Sequence, residues 1–491
     1  MNWTTEDLKN WHDKIFEKAV GFGLDPYEQE FEICDHEQMI SYMAYSGIPS
    51  HYPHWSYGKA FEKTKTLYDY GVTGLPYEMV INSNPAIAYL MKGNSLCLQL
   101  LTMAHVYGHN DFFKNNFTFK STDANYVIED FMSHAKRVRG YIEHPFIGLE
   151  KVEAVLDAAH ALSLQQRRNL ARKKLTHDEQ IEMVRDQFRQ VADPFGSVHK
   201  REKFDDEGFK EAMEKNPLAP EEDILLFIRD NARLSEWEKD LLTIVHDEAQ
   251  YFIPQIETKI MNEGWASYWH KKIMDSLNLD FGLAWEFAKN HAQVLSPHPG
   301  QLNPYHLGIK LWENIAKRWD EPSKGDLEKF GKRNFENADG SKKTGSNKLF
   351  EVREADRDQS FIRQYLTMDL MRELKLFEYA EKEQDGQRVL VVTKVPDDDN
   401  WQAMRDQLIA SVGMSGVPVI KVEDSNYRNN RALLLKHYHN GKDLQLEYAE
   451  KTIGYIRQLW GRSVGLETVI NGRRAICFVD DNGGFDIKPI Y

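Results

Sequence analysis

The sequence predicts a mainly α protein, with a helical, histidine-rich region over residues 1–317 and a smaller α+β domain over 350–491, separated by a charged linker or surface excursion at 318–349. Three observations carry that prediction. Apolar residues recur at helical spacing through most of the first 320 positions. A polar stretch containing Asp339-Gly340-Ser341-Lys342-Lys343-Thr344-Gly345-Ser346 then breaks the pattern. Beyond it, short β-branched runs alternate with helices.

Taken in order, Trp3-Thr4-Thr5 followed by Glu6 and Asp7 reads as a capped helix start, with Leu8, Trp11, Ile15 and Ala19 repeating at helical spacing. The segment 51–74 reads as irregular chain rich in rings and glycine, with His51-Tyr52-Pro53-His54-Trp55-Ser56-Tyr57-Gly58-Lys59 as its densest part. Helical patterns follow near 90–110, 125–142, 150–164, 178–192, 220–231, 235–252, 255–276, 281–293 and 305–318. In the last part, Val389-Leu390-Val391-Val392 and Val417-Pro418-Val419-Ile420-Lys421-Val422 read as strands, with helices near 399–412 and 446–460. Asn471-Gly472 between Thr468-Val469-Ile470 and Ala475-Ile476-Cys477-Phe478-Val479 marks a terminal hairpin, because both turn positions of that type need a positive φ.

Composition narrows the function classes. With 491 residues the chain is long enough for about three domains at roughly 150 residues each. Its formal charge of −14 repels phosphate backbones, so nucleic acid is not an expected partner. Three scattered cysteines make neither a disulfide framework nor a four-thiolate metal site, which fits a reducing compartment. The first residues lack a basic and apolar leader and no run is long enough to span a bilayer, so a cytoplasmic protein without membrane insertion is expected. All of the 18 histidines except His437 and His439 lie at or before His306, which places any chemistry in the helical region.

Three segments there carry residue types suited to a site. His105-Val106-Tyr107-Gly108-His109 sets two imidazoles one helical turn apart on one face, the geometry in which two nitrogens hold one metal ion. Asn262-Glu263-Gly264-Trp265-Ala266-Ser267-Tyr268-Trp269-His270 places Glu263 and His270 two turns apart among large apolar residues, and a buried carboxylate needs a partner. Gly264 lets that helix approach a neighbour closely. Tyr305 and His306 fall in the first turn of a third helix, where they can donate toward an anionic species in a cleft.

Together, His-x-x-Gly-His, Glu-Gly-Trp-Ala-x-Tyr and Pro-Gly-Gln-x-x-x-Tyr-x-x-Gly resemble the motifs of gluzincin metallopeptidases over residues 100–315. The resemblance implies a zincin-like helical region in which His105, His109 and Glu263 hold zinc and Tyr305 stabilises the transition state. One position departs from the pattern. The glutamate that follows the first histidine and takes a proton from the attacking water is Val106 here, a loss commonly worth about two to four powers of ten in rate. Asp111, Glu257 and His270 are the groups available to replace it.

At the level of the whole chain, His54-Trp55-Ser56-Tyr57-Gly58-Lys59, His105-Val106-Tyr107-Gly108-His109-Asn110-Asp111-Phe112-Phe113-Lys114-Asn115-Asn116, the Asn262–His270 segment and Asn303-Pro304-Tyr305-His306-Leu307-Gly308 resemble the stage V sporulation protein R family. That resemblance implies a cytoplasmic bacterial protein connected with formation of the spore cortex, and it implies no settled reaction. The expected metal is divalent, zinc first and non-haem Fe(II) as the alternative that two imidazoles and a carboxylate also suit. The expected function is a metal-dependent hydrolase acting on a peptide or amide, with Asp111, His270, Tyr305 and His306 as catalytic groups and His54, Trp55 and Asn110 toward the substrate. The alternative is a non-catalytic regulator or scaffold that keeps the helical core and binds a partner protein.

Overall fold

A computed structural model describes residues 3–70, 78–168, 173–188, 206–297, 300–337, 339–384 and 387–490. Within them the chain is mainly α, with sheet concentrated toward the C-terminus, and no helix is long and apolar enough to cross a membrane. It forms two compact units, 1–136 with 250–416, and 137–249 with 417–491.

The first unit is built on α1 (Leu96–Asn115), α2 (Lys259–Ser276), α3 (Phe281–Val294) and α4 (Pro304–Asp320). Ser95 starts α1 by accepting a hydrogen bond from Leu98 N at 3.2 Å. From Cys97 to Phe113 the only residue of α1 that is not buried is Leu98, so α1 has no solvent face and packs against α2, α3 and a sheet. That sheet has the order β1 (Gln29–Cys34), β3 (Ala86–Met91), β2 (Glu78–Ile81), with β1 and β3 parallel and β2 antiparallel to β3. The helical pattern near 90–110 therefore begins only at Leu96. Ala-Ile-Ala-Tyr-Leu-Met at 86–91 is apolar on both faces, and such a run does not distinguish a buried strand from a buried helix by period.

Two further segments differ from expectation. Residues 55–69 of the supposedly irregular stretch form a helix whose N-cap is His54, the ring nitrogen Nδ1 accepting from Ser56 N; positions 71–74 lie outside the described residues. Residues 318–349 are not a detached linker. Trp319, Phe335 and Leu349 are buried in the same core as Trp265 and Trp312, and Gly345 lies against the backbone of Ala316, where any Cβ would clash. Phe361, Ile362 and Leu370 continue that core, so the chain does not divide at 317 and 349.

The second unit holds a five-stranded sheet in the order Phe485–Pro489, Arg473–Val479, Val464–Ile470, Ala432–His437, Ile420–Tyr427. Helix Leu446–Trp460 links the parallel pair Ala432–His437 and Val464–Ile470, and its apolar face packs on helix Leu149–Leu162. Asn471 and Gly472 both have positive φ, as the hairpin requires. His437 and His439 bond within this unit, to Thr468 Oγ1 and Asp443 Oδ1 at 2.9 and 2.8 Å. Residues 189–192 of the helical pattern near 178–192 lie outside the described residues, as does His298.

Candidate metal centre

Four consecutive turns of α1 are buried, so each polar side chain on it needs a partner. Asn110 and Asp111 find theirs in the protein. Asn110 Oδ1 accepts from Tyr27 N at 2.7 Å, while Nδ2 donates to Tyr27 O and Gln29 Oε1. Asp111 Oδ1 takes Arg353 Nη1 at 2.6 Å and Asp25 N at 2.8 Å, and Oδ2 takes Trp265 Nε1 at 2.9 Å. Both carboxylate oxygens are thus occupied, and these residues anchor the chain entering β1 and helix Gly345–Ala355 rather than facing a cavity.

The histidines behave differently. α2 crosses α1 with its backbone in near contact, since a Cβ on Gly108 would stand 2.6 Å from Ala266 Cα. On its other side Gly264 meets Gly308 of α4, and a Cβ on Gly308 would stand 2.6 Å from Gly264 Cα. Only glycine permits both crossings, and they bring Glu263, His105, His109 and Tyr305 together. Glu263 Oε2 lies 3.6 Å from His105 Nε2 and 3.5 Å from His109 Nε2. A second carboxylate arrives from β2: Glu78 Oε1 lies 3.9 Å from His105 Nε2, and ligand atoms of Glu78, His105 and His109 all fall within 4.8 Å of one another. Val80, two residues on and so on the same face of β2, lines the same cleft.

The far nitrogens of both imidazoles are tied back. His109 Nδ1 pairs with Asn262 Oδ1 at 2.8 Å; an amide oxygen only accepts, so His109 carries its proton on Nδ1 and turns the Nε2 lone pair to the carboxylates. His105 Nδ1 lies 2.8 Å from His270 Nδ1. Near the carboxylates, His105 Nε2 and Glu263 Oε2 are buried without a hydrogen-bond partner among the described residues. Two imidazoles and two carboxyl groups converging at these distances, with two of their facing atoms orphaned, form a donor set that suits a divalent cation. The donor set, nitrogen and carboxylate oxygen without thiolate, admits zinc and Fe(II) alike.

Charge couples Glu263 to the imidazoles. Burial acts to raise the carboxyl of Glu263, but the two imidazoles beside it outweigh that and hold it well below the usual carboxylate range. His109 is pulled down by burial and, more strongly in sum, pushed up by Glu263 and Asn262. Tyr305 reaches the site as well, its ring 6.2 Å from that of His105, and burial together with Glu263 and Glu78 pushes its hydroxyl far up. It therefore stays protonated and able to donate. Tyr305, His109, Glu78 and Glu263 share one cleft of about 750 Å³, whose wall also carries Lys259, Gln255 and Ser411.

His270 stands behind His105, bonded through Nε2 to His291 Nδ1 at 2.8 Å. His306, half-buried, is influenced by Lys310, Glu373 and Glu313 instead. Among the described residues that wall the cleft, none is His54, Trp55 or His306; Trp55 is half exposed at the start of its helix. Three residues at or behind the site carried no such sign in the sequence. Glu78 opens a four-residue strand, Asn262 precedes Glu263 without a motif of its own, and His291 is one histidine of many. Only a polar residue opening an apolar run, Glu78 before Met79-Val80-Ile81, offered a trace.

Comparison with known proteins covers nearly the whole chain. A family model described as "SpoVR like protein" matches residues 2–417, and one described as "SpoVR-like C-terminal domain" matches 418–471. Uncharacterized protein YcgB of Escherichia coli (strain K12) is 33% identical over 493 residues, 95% of this chain and 92% of that protein. No solved structure matches.

Proposed function

The chain belongs to the SpoVR-like family, a sporulation-related one, and on that premise we propose that it is a metal-dependent hydrolase of a peptide or amide bond serving formation of the spore cortex in the cytoplasm. The observation that supports this reading is the meeting of His105, His109, Glu263 and Glu78, with His105 Nε2 and Glu263 Oε2 lacking a hydrogen-bond partner among the described residues and Tyr305 in the same cleft.

A divalent cation there, zinc in the first instance, would supply Lewis acidity toward a carbonyl and toward water. Nε2 of His105 and His109 and Oε2 of Glu263 are the groups that would hold it. Asn262 fixes His109 in the tautomer that presents Nε2. Glu78 answers the question that Val106 raises: it comes from another element, yet puts a carboxylate beside the same imidazole, and its Oε1 accepts the proton of the attacking water. Tyr305 donates its hydroxyl proton in a hydrogen bond to the oxygen on which charge develops. Asp111, by contrast, is too fully bonded to serve as base.

Full-length protein purified without tag or chelator tests the reading. Wild type is expected to hold about one equivalent of zinc by elemental analysis. Glu263→Gln is expected to lose it, whereas Glu78→Gln keeps it while cleavage of a fluorogenic peptide mixture falls by about 100-fold or more. Metal content indifferent to both His105→Ala and Glu263→Gln would sink the proposal.

A further inference from the structure

His105, His270 and His291 come from α1, α2 and α3, yet form one continuous chain. His105 Nδ1 is 2.8 Å from His270 Nδ1, and His270 Nε2 is 2.8 Å from His291 Nδ1. Ring centroids are 5.1 and 5.0 Å apart along it. A neutral imidazole has one N–H and one lone pair, and each contact needs one of each. The three proton positions are therefore coupled, and only two neutral arrangements satisfy both contacts.

In the outward arrangement His105 Nδ1 donates to His270 Nδ1 and His270 Nε2 donates to His291 Nδ1, which leaves the lone pair of His105 Nε2 bare before Glu263 and Glu78. In the inward arrangement His291 Nδ1 donates to His270 Nε2 and His270 Nδ1 donates to His105 Nδ1, which leaves N–H on His105 Nε2 facing those carboxylates. Burial holds His270 well below the ordinary imidazole value and, with Lys271 adding, pushes His291 down to about 4, so neither of these two rings favours the cation.

We propose that His270 and His291 form a two-state tautomer relay that presents the His105 lone pair to a metal and reports loading of the site at His291. This rests on the metal-site reading above. On loading, the proton of His105 Nε2 leaves to solvent, that of His270 Nδ1 passes to His105 Nδ1, that of His291 Nδ1 passes to His270 Nε2, and His291 Nε2 takes one from solvent. One proton leaves, one enters, and all three rings end neutral. His270 and His291 are thus positioning residues, and the half-buried His291 exchanges an accepting Nε2 for a donating one. The charged groups acting on it are Lys271, Asp275 and Glu313.

The test uses the full chain labelled with ¹⁵N in its histidine rings, stripped of metal and then given one equivalent of zinc. The expected result is that His291 Nδ1 moves from the pyrrole-type to the pyridine-type range while Nε2 moves the other way. His291→Phe, which removes the acceptor, is expected to raise the zinc Kd about tenfold or more, and His291→Gln, whose amide oxygen accepts from His270, to restore most of it. Stoichiometric zinc uptake with an unchanged His291 tautomer overturns the relay and leaves the metal site standing. Failure of wild type to take up zinc removes both.

Discussion

His105 and His109 share a helix with Asn110 and Asp111, and all four are buried, yet the two pairs end in opposite states. Asp111 has both oxygens engaged by Arg353, Trp265 and the backbone of Asp25, and Asn110 is bonded on both ends of its amide. The histidines are held from behind, and in front of them His105 Nε2 and Glu263 Oε2 have no hydrogen-bond partner among the described residues. Burying polarity is costly unless it is satisfied. Where the protein satisfies it, the side chains fix the architecture; where it holds them from behind only, the front stays open to the cation proposed above.

That contrast can be broken most directly at Asp111. Asp111→Ala leaves Arg353 buried without its carboxylate and is expected to cost about 3–5 kcal/mol in urea unfolding of metal-free protein. Glu263→Gln, which relieves the facing carboxylates, is expected to be neutral or stabilising under the same conditions. Equal losses in the two variants would erase the distinction. Next in size, zinc at about 1,000 times its Kd should stabilise wild type by about 4 kcal/mol, and this increment should vanish in Glu263→Gln but survive in Asn110→Ala if that variant folds. The check is a pair of denaturation curves with and without chelator.

A third buried arrangement, in the other unit, sharpens the contrast through pH. His246 Nε2 pairs with Asp223 Oδ2 at 3.0 Å and Nδ1 with Asp247 at 3.1 Å. Burial lowers its pKa, but the two carboxylates outweigh that and raise it to about 9. A raised histidine stabilises the fold fully below its unfolded value near 6.5 and loses that contribution as pH rises through 9. The expected loss between pH 6 and 10 is about 2–3 kcal/mol, absent in His246→Gln, measured as the difference between their urea curves at each pH.

Much of the site was legible. Spacing alone put His105 and His109 on one face, the glycine beside Glu263 announced a close helix crossing, and Tyr305 lay at a helix start where a donor is useful. Asn110 and Asp111 were equally polar in the same buried run, but a single sequence does not say whether a polar group meets a cavity or a backbone amide 80 residues away. His54 was read from its ring-rich surroundings as facing substrate, whereas its own nitrogen caps a helix. Glu78, Asn262 and His291 stayed hidden because their roles depend on strand register and helix crossings, which have no local period.

By itself, then, the sequence determined the mainly α class, the terminal hairpin at Asn471-Gly472, and a pair of imidazoles with a glycine-flanked carboxylate, because these follow from side-chain period and from backbone freedom at single residues. Tertiary structure alone decided that residues 318–349 and 350–416 belong to the first unit's core, and that a second carboxylate arrives from β2 where Val106 has none. Those outcomes depend on which surfaces exclude water together and on two helices crossing at bare glycine backbone, and neither is encoded within any one stretch of chain.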